Sequence, residues 1–116
     1  MLTTQIEAMA NHSDQYLTIA VSTGHLSHHA KRVLDNCCMR TDVITKRETG
    51  WFVKLYECEE HECQDKVIWQ ARYPGITDAM LELFISAYCA GFRMIEFDSD
   101  AIALEGFEWY DSETIS

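Results

Sequence analysis

Apolar residues recur with two different periods along this chain, and the two periods divide it into strands and helices. Residues 16–21 form a short apolar run rich in β-branched and aromatic side chains, which predicts one buried strand. A helix is predicted after the N-cap candidate Ser27, because apolar residues then recur at i, i+3, i+4, i+7 and i+8. These residues are Ala30, Val33, Leu34, Cys37 and Cys38.

The middle of the chain predicts a β-hairpin. Residues 41–45 and 51–56 favour strands, and residues 46–50 between them provide a turn with Gly50 available for a positive φ. Residues 67–69 are apolar but few, so this segment is compatible with either a short strand or a turn of helix.

The clearest helix begins at Thr77 or Asp78 and continues through Ala90, with Gly91 as its stop. Its apolar face is formed by residues at helical spacing, namely Met80, Leu83, Phe84, Ala87 and Tyr88. Residues 94–98 then alternate between apolar and acidic side chains, which predicts a last strand.

The length of 116 residues fits one domain covering residues 1–116. Residues 1–15 are polar and predict a short helix or a loose arm. Residues 99–116 form an acidic, aromatic tail that we expect to pack in part. The order β-α-β-β-α-β predicts an α+β fold: a two-layer sandwich with a mostly antiparallel sheet and two helices on one face. A three-layer α/β arrangement is the alternative.

Acidic residues are concentrated in the second half of the chain, within a formal net charge of −10. Residues 1–56 contain five acids and six bases, whereas residues 57–116 contain fourteen acids and three bases. No Lys or Arg follows Arg93. A field of this sign repels nucleic acid and attracts basic protein surfaces, so direct nucleic-acid binding is not expected.

The five cysteines predict reduced thiols rather than a disulfide framework, because their number is odd and two of them are adjacent. Three of them, Cys37, Cys38 and Cys89, fall on predicted apolar helix faces. There is no apolar run long enough to span a bilayer and no basic leader before an apolar segment. These features predict a cytoplasmic protein without a membrane segment.

The segment from Ser22 to His29 lies at a predicted strand-to-helix junction, where free backbone N–H groups favour anions. Ser22 and His25 are candidates for a nucleophile and its base. Neither the G-x-S-x-G elbow nor the G-x-G-x-x-G phosphate loop is present, so a capped helix start is the competing interpretation and an enzyme is not the favoured class.

Cys58, His61 and Cys63 bring two thiols and an imidazole within six positions, which are ligand types that zinc prefers. Their spacing is not that of a standard zinc finger, and four glutamates surround them. The competing interpretation is a solvated acidic loop, and we expect neither a metal nor another cofactor.

Asp98 and Asp100 follow the last strand two positions apart, as in some Mg²⁺ or Ca²⁺ sites, but Ile102 stands where the calcium loop needs its next ligand. A turn in which these carboxylates bind local amides is the alternative. Beyond them, acids are interleaved with aromatic residues, a composition that suits a protein interface as well as a packed terminus. The predicted partner-binding residues are Glu96, Asp98, Asp100, Glu105, Glu108, Trp109, Tyr110 and Asp111.

Several short motifs resemble a family of uncharacterised domains in small accessory proteins encoded on plasmids and phages. The motifs are Ser22-Thr23-x-His25, Gly50-Trp51-Phe52, Gly91-Phe92-x-x-Ile95-x-Phe97-Asp98-x-Asp100-Ala101 and Leu104-Glu105-Gly106-Phe107. The resemblance extends over residues 16–111 and implies no catalytic residue. The resemblance implies that this protein is one of the small accessory proteins of mobile elements, among which inhibitors of host defence are common. It also implies that the protein is located in a bacterial host cell.

The leading hypothesis is a non-enzymatic inhibitor of the anti-CRISPR or anti-restriction type that binds the basic, nucleic-acid-binding surface of a host defence complex. Its carboxylates would occupy the Lys and Arg side chains that otherwise hold phosphates. The alternative is a small enzyme or ligand sensor that uses the Ser22–His25 junction with Asp98 or Asp100. Either a monomer or a homodimer is compatible with the sequence.

Overall fold

A computed structural model describes residues 2–13, 15–39, 43–59 and 63–110 of the chain. The elements are α1 (Leu2–Ala10), β1 (Thr18–Ser22), α2 (His28–Cys37), β2 (Ile44–Arg47), β3 (Gly50–Lys54), α3 (Lys66–Arg72), α4 (Asp78–Cys89) and β4 (Met94–Asp98). Helices and one mixed sheet make this an α+β fold, as predicted.

The four strands lie in the order β1-β4-β3-β2. β1 pairs with β4 in parallel, and the other two pairings are antiparallel, so the sheet is mostly antiparallel. Trp51 of β3 and Val21 of β1 both pair with Phe97 of β4. Because residues paired across strands point to the same side of a sheet, these three side chains share one face.

That face carries the core. The residues that alternate with it on β4 and β3 are half-buried or exposed, among them Glu96, Phe52 and Lys54. Helices α2, α3 and α4 all contribute buried side chains to the single apolar cluster that includes Val21, Trp51 and Phe97. A third helix therefore joins the two predicted ones, and the described residues form two layers.

The helix starts follow the predicted capping chemistry. Ser27 accepts a hydrogen bond of 3.1 Å from the N–H of Ala30, and Thr77 accepts one of 3.2 Å from the N–H of Met80. The segment 67–69, whose structure the sequence left open, belongs to α3, which Asp65 caps. Trp69 of this helix is fully buried, and that burial, which local sequence does not reveal, is the tertiary contribution that favours a helix here.

Glycine is needed at position 50 for a different reason from the predicted one. Its φ is not positive, whereas that of Gly91 after α4 is 102°, as expected for a helix stop. Gly50 begins β3 opposite Asp98, where a Cβ atom would overlap the carbonyl oxygen of Phe97. Glycine is therefore required by the close approach of two backbones.

The segment 1–15, predicted as a short helix or a loose arm, contains α1, in which every described residue is exposed. Among the described residues, no helix has both the length and the apolar character needed to cross a membrane.

All five cysteines are thiols. Cys37 and Cys38 are half-buried on α2, but Cys89 is exposed, so its predicted position on the apolar face of the last helix is wrong. Cys89 is the last residue of α4. It lies one position beyond Tyr88, the last buried residue of the helix, and the helix ends before the next position that would face the core.

Candidate functional site

His25 connects the start of the domain to its C-terminal tail. It ends a 3-10 turn, Thr23–His25, that directly follows β1, and only 3% of its surface is exposed. Its Nδ1 atom lies 2.7 Å from the carbonyl oxygen of Glu108, and its Nε2 atom accepts a hydrogen bond of 2.8 Å from the N–H of Leu104. A carbonyl can only accept and an amide N–H can only donate, so these contacts require the neutral ring with its hydrogen on Nδ1.

The residues around His25 complete the attachment of the tail. Ser22 accepts a hydrogen bond of 3.1 Å from the N–H of Gly24, and the carbonyl of Gly24 accepts one of 2.7 Å from the N–H of Tyr110. The indole of Trp109 covers Gly24 so closely that a Cβ atom there would overlap its six-membered ring. The same indole meets the His25 ring edge to face, with 5.2 Å between centroids.

A groove of about 760 Å³ lies between this tail and the first turns of α4. Asp78 and Glu82 line it from α4, where they are exposed one helical turn apart, and Glu108 lines it from the tail. Lys66, the first residue of α3, is the one lysine or arginine among its lining residues, which also include the neutral His25. The groove therefore combines three carboxylates with one ammonium group, beside the half-buried Phe107 and Tyr110.

Two of the predicted partner-binding residues are engaged within the chain. Glu96 accepts a hydrogen bond from the guanidinium of Arg47, and a carboxylate oxygen of Asp98 lies 3.8 Å from the same guanidinium. The other oxygen of Asp98 accepts a hydrogen bond of 2.8 Å from the N–H of Asp100. The second interpretation of this segment, a turn closed by a carboxylate on a local amide, is thus the one observed.

The other predicted partner-binding residues follow along the tail. Glu105 and Glu108 are exposed, Trp109 is 39% exposed, and Tyr110 is half-buried. Asp111 lies outside the described residues. The structure therefore brings Glu108 and Tyr110 to the groove, whereas neither Glu96 nor Asp98 is among its lining residues.

Of the predicted zinc ligands, His61 lies outside the described residues. The thiol of Cys58 accepts a hydrogen bond of 3.3 Å from Arg72, and the carbonyl of Cys63 accepts one of 3.0 Å from the indole of Trp69. The described residues contain no group of three His, Cys, Asp or Glu side chains placed to hold a metal ion. The candidate zinc ligand set of Cys58, His61 and Cys63 is therefore untested, because one of its members lies outside the described residues.

Sequence reasoning missed Asp78 and Glu82 as members of the site. Their spacing of four along an amphipathic helix does indicate a shared exposed face. No local signal connects that face to Glu108, because the position of Glu108 depends on hydrogen bonds between His25 and the tail, whose described residues 99–110 form no helix or strand.

The fold and the groove define an α+β domain whose acidic cleft is formed by a terminal segment anchored on a buried histidine. The chain belongs to the family of unknown function DUF5983, since the model of this family's C-terminal domain matches residues 18–112. The matched range begins at β1 and leaves α1 outside. Comparison with the curated proteins and with the solved structures found no match.

Proposed function

We propose that this protein is a non-enzymatic inhibitor that binds a basic, nucleic-acid-binding surface on a host defence complex of the CRISPR or restriction type. The observation that carries the proposal is the convergence of Asp78, Glu82 and Glu108 on one groove from two distant parts of the chain. We also propose that the protein is encoded on a plasmid or a phage.

The mechanism is electrostatic competition. Carboxylates in the groove pair with Lys and Arg side chains that otherwise contact phosphates, and a planar guanidinium can take two such hydrogen bonds at once. The exposed part of Trp109 beside the groove supplies apolar contact area. Because the chain has a net charge of −10, the same field speeds the encounter with a basic partner and opposes direct binding of nucleic acid.

The tail contacts support this mechanism because they order the binding residues in advance. The backbone on both sides of Trp109 is hydrogen-bonded, through the carbonyl of Glu108 to His25 and through the N–H of Tyr110 to Gly24. A segment that is already ordered loses less conformational entropy when it binds. His25 is then a positioning residue for the interface.

The test is capture of partners from host lysate at low salt, followed by a high-salt wash. We expect a nucleic-acid-binding complex that salt releases and that added duplex DNA or guide RNA displaces in competition. A partner that neither salt nor nucleic acid displaces would contradict the proposed competition.

Charge-reversal variants separate the groove from the net charge. Glu82→Lys with Glu108→Lys reverses two groove carboxylates, whereas Glu7→Lys with Glu48→Lys makes the same change in net charge at exposed positions outside the groove. We expect the first variant to lose the partner and the second to keep it. Equal loss in both variants would leave only a general charge effect, and retention in both would overturn the proposal.

One observation favours the alternative, a small enzyme or ligand sensor. Ser22 and Asp98 are register partners at the carboxyl ends of two parallel strands, a position where α/β sheets often bind ligands. However, the lone pair of the His25 Nε2 atom already accepts the N–H of Leu104, so His25 would have to give up this contact to act as a base on Ser22. An Asp98→Asn variant with full biological effect would exclude this alternative.

A further inference from the structure

Another cavity lies where α2, β2 and the chain after α3 meet. It has a volume of about 260 Å³ and shares no lining residue with the groove. Its apolar walls come from three parts of the chain and are formed by Val33, Cys37, Ile44, Tyr73 and Pro74. A cavity of this volume has room for a ligand of roughly nine non-hydrogen atoms, at about 30 Å³ each, the share of one molecule in liquid water.

The walls of this cavity are joined by contacts between the elements. The thiol of Cys37 on α2 donates to the carbonyl of Pro74 at 3.5 Å. Ile44 and Tyr73 are both buried and belong to the apolar core. The hydroxyl of Tyr73 donates to the carbonyl of Lys54 at 2.7 Å, so this phenol needs no acceptor inside the cavity. The cavity is therefore built on the core and is apolar on these sides.

Arg72, the last residue of α3, is the one charged side chain among the lining residues, all of which the structure describes. Its half-buried guanidinium donates to the carbonyl of Glu57 at 3.0 Å and to the thiol of Cys58 at 3.3 Å. Both hydrogen bonds come from Nη1. No described residue accepts a hydrogen bond from Nε or Nη2, so this edge of the guanidinium is available to a ligand.

The class of ligand follows from the apolar walls and the single guanidinium. The Nε–H and one Nη2–H form a fork whose spacing matches the two oxygens of a carboxylate. Apolar walls stabilise a hydrocarbon body, because its burial removes apolar surface from water. A ligand with several negative charges is disfavoured, because one guanidinium stands against the field of a chain with a net charge of −10.

We propose that this cavity is a binding site for small monocarboxylic acids with an apolar body, such as aromatic or branched-chain acids. The carboxylate binds the Nε–Nη2 edge of Arg72, and the apolar body lies against Val33, Ile44 and Tyr73. The site is independent of the proposed inhibitor function, because that function depends on the groove. A failed test of one therefore leaves the other standing.

The first experiment follows the amide resonances of the full chain by nuclear magnetic resonance as benzoate is added, and then repeats the titration with benzamide, which has the same ring without the charge. We expect benzoate to bind with a Kd on the order of 1 mM or below, and benzamide to bind at least about tenfold more weakly, because it cannot accept two charge-assisted hydrogen bonds. Equal affinity for the two compounds, or no binding of benzoate at about 10 mM, would overturn the proposal.

Paired variants test whether the ligand occupies this cavity. Arg72→Gln removes the guanidinium, whereas Arg32→Gln makes the same change in charge at an exposed position of α2 that does not line the cavity. Val33→Phe fills the cavity, whereas Val67→Phe adds the same ring at a position of α3 that is 72% exposed. We expect Arg72→Gln and Val33→Phe each to weaken benzoate binding at least about tenfold, and the two controls to keep it. Unchanged affinity in Arg72→Gln or Val33→Phe would contradict the assignment.

Cys37 provides a readout on the unchanged chain, which holds even where a variant fails to fold. Cys37 lines the cavity, whereas Cys38, the next residue, does not. Saturating benzoate should slow the alkylation of Cys37 by iodoacetamide several-fold and leave the rate at Cys38 unchanged, as mapped by mass spectrometry. Benzamide at the same concentration should protect Cys37 less. If Cys37 reacts at the same rate with and without benzoate, the ligand does not occupy this cavity and the proposal is wrong.

Discussion

The imidazole of His25 accepts a hydrogen bond of 2.8 Å from the backbone N–H of Leu104, which lies 79 positions later in the chain. The other ring nitrogen binds the carbonyl of Glu108. One buried side chain therefore satisfies two backbone groups of the tail, in which residues 99–110, the part that the structure describes, form no helix or strand.

Replacing His25 by Phe should release this tail. The variant keeps an aromatic ring but leaves the carbonyl of Glu108 and the N–H of Leu104 without their partner, so we expect the free energy of unfolding to fall by about 2–4 kcal/mol. Urea denaturation measures the loss, and limited proteolysis should show faster cleavage within residues 99–110.

The matched control is His28→Phe, since His28 is exposed at the start of α2. Its stability and proteolysis should remain those of the unchanged chain. If His25→Phe also leaves the tail resistant to protease, the two hydrogen bonds are not what attaches it.

Two glycines should lose different amounts of stability on the same substitution. Gly50→Ala places a Cβ atom against the backbone carbonyl of Phe97, which cannot move without disturbing the pairing of β3 with β4, so we expect a loss of about 3 kcal/mol or more. For Gly24→Ala, the three atoms nearest to the added Cβ atom all belong to the indole of Trp109, a side chain that can swing away.

For Gly24→Ala we therefore expect a smaller loss of stability together with a red shift of tryptophan fluorescence as Trp109 enters water. Repeating both measurements in a Trp109→Phe background should remove the shift. A larger loss for Gly24→Ala than for Gly50→Ala would contradict the described packing.

Periodicity predicted most of the elements because local sequence specifies them. The apolar face of α4 and the capping residues Ser27 and Thr77 follow from spacing and hydrogen-bonding chemistry alone. The segment 67–69 did not reveal its structure, since its helix depends on the burial of Trp69, and the contact of Trp69 with Tyr88 comes from another helix.

The candidate site was predictable only in part. The acidic and aromatic composition pointed to residues near Glu108, which line the groove, but it also pointed to Glu96, which is paired with Arg47. Strand pairing decides whether an acidic residue lies at the groove or is paired within the chain. Arg47 lies opposite Gly50 on β3, and β3 lies next to β4, which carries Glu96. No local sequence pattern contains that register. The sequence makes His25 a candidate base for Ser22, whereas its attachment of the tail depends on the conformation of the tail itself.

Stability should decline at alkaline pH because of Tyr73. Burial raises the pKa of this phenol above its ordinary value. The Tyr73 hydroxyl also accepts a hydrogen bond from the N–H of Tyr56, which lowers the pKa, but the effect of burial is larger. The unfolded chain then releases the phenolic proton first, near a pKa of about 10, so stability is complete below that pH and falls as the pH rises further. The slope is at most about 1.4 kcal/mol per pH unit for each such group.

The Tyr73→Phe variant tests this assignment. It removes a hydrogen bond of 2.7 Å to the carbonyl of Lys54, so it should lose about 1–2 kcal/mol at neutral pH and show a flatter decline above pH 10. Tyr88, whose pKa is also raised by burial, accounts for a second part of the decline. If the variant and the unchanged chain lose stability in parallel up to pH 12, Tyr73 is not the responsible group.

Arg47 should matter more to stability than Lys46, its neighbour on β2. Arg47 lies between Glu96 and Asp98, whose side chains are 26% and 22% exposed, whereas Lys46 pairs with a 50% exposed Asp35. Arg47→Gln leaves two like charges close together and partly desolvated, so we expect a loss of about 1–2 kcal/mol. Lys46→Gln breaks a solvated pair and should change stability by less than about 0.5 kcal/mol.

Urea denaturation at low and high ionic strength measures both effects. Salt screens the repulsion between Glu96 and Asp98, so the deficit of Arg47→Gln should shrink as salt is added. Adding Glu96→Gln should restore much of the stability, because one carboxylate of the repelling pair is then neutral. Equal losses in the Arg47 and Lys46 variants would contradict the conclusion that partial burial strengthens the ion pairs of Arg47.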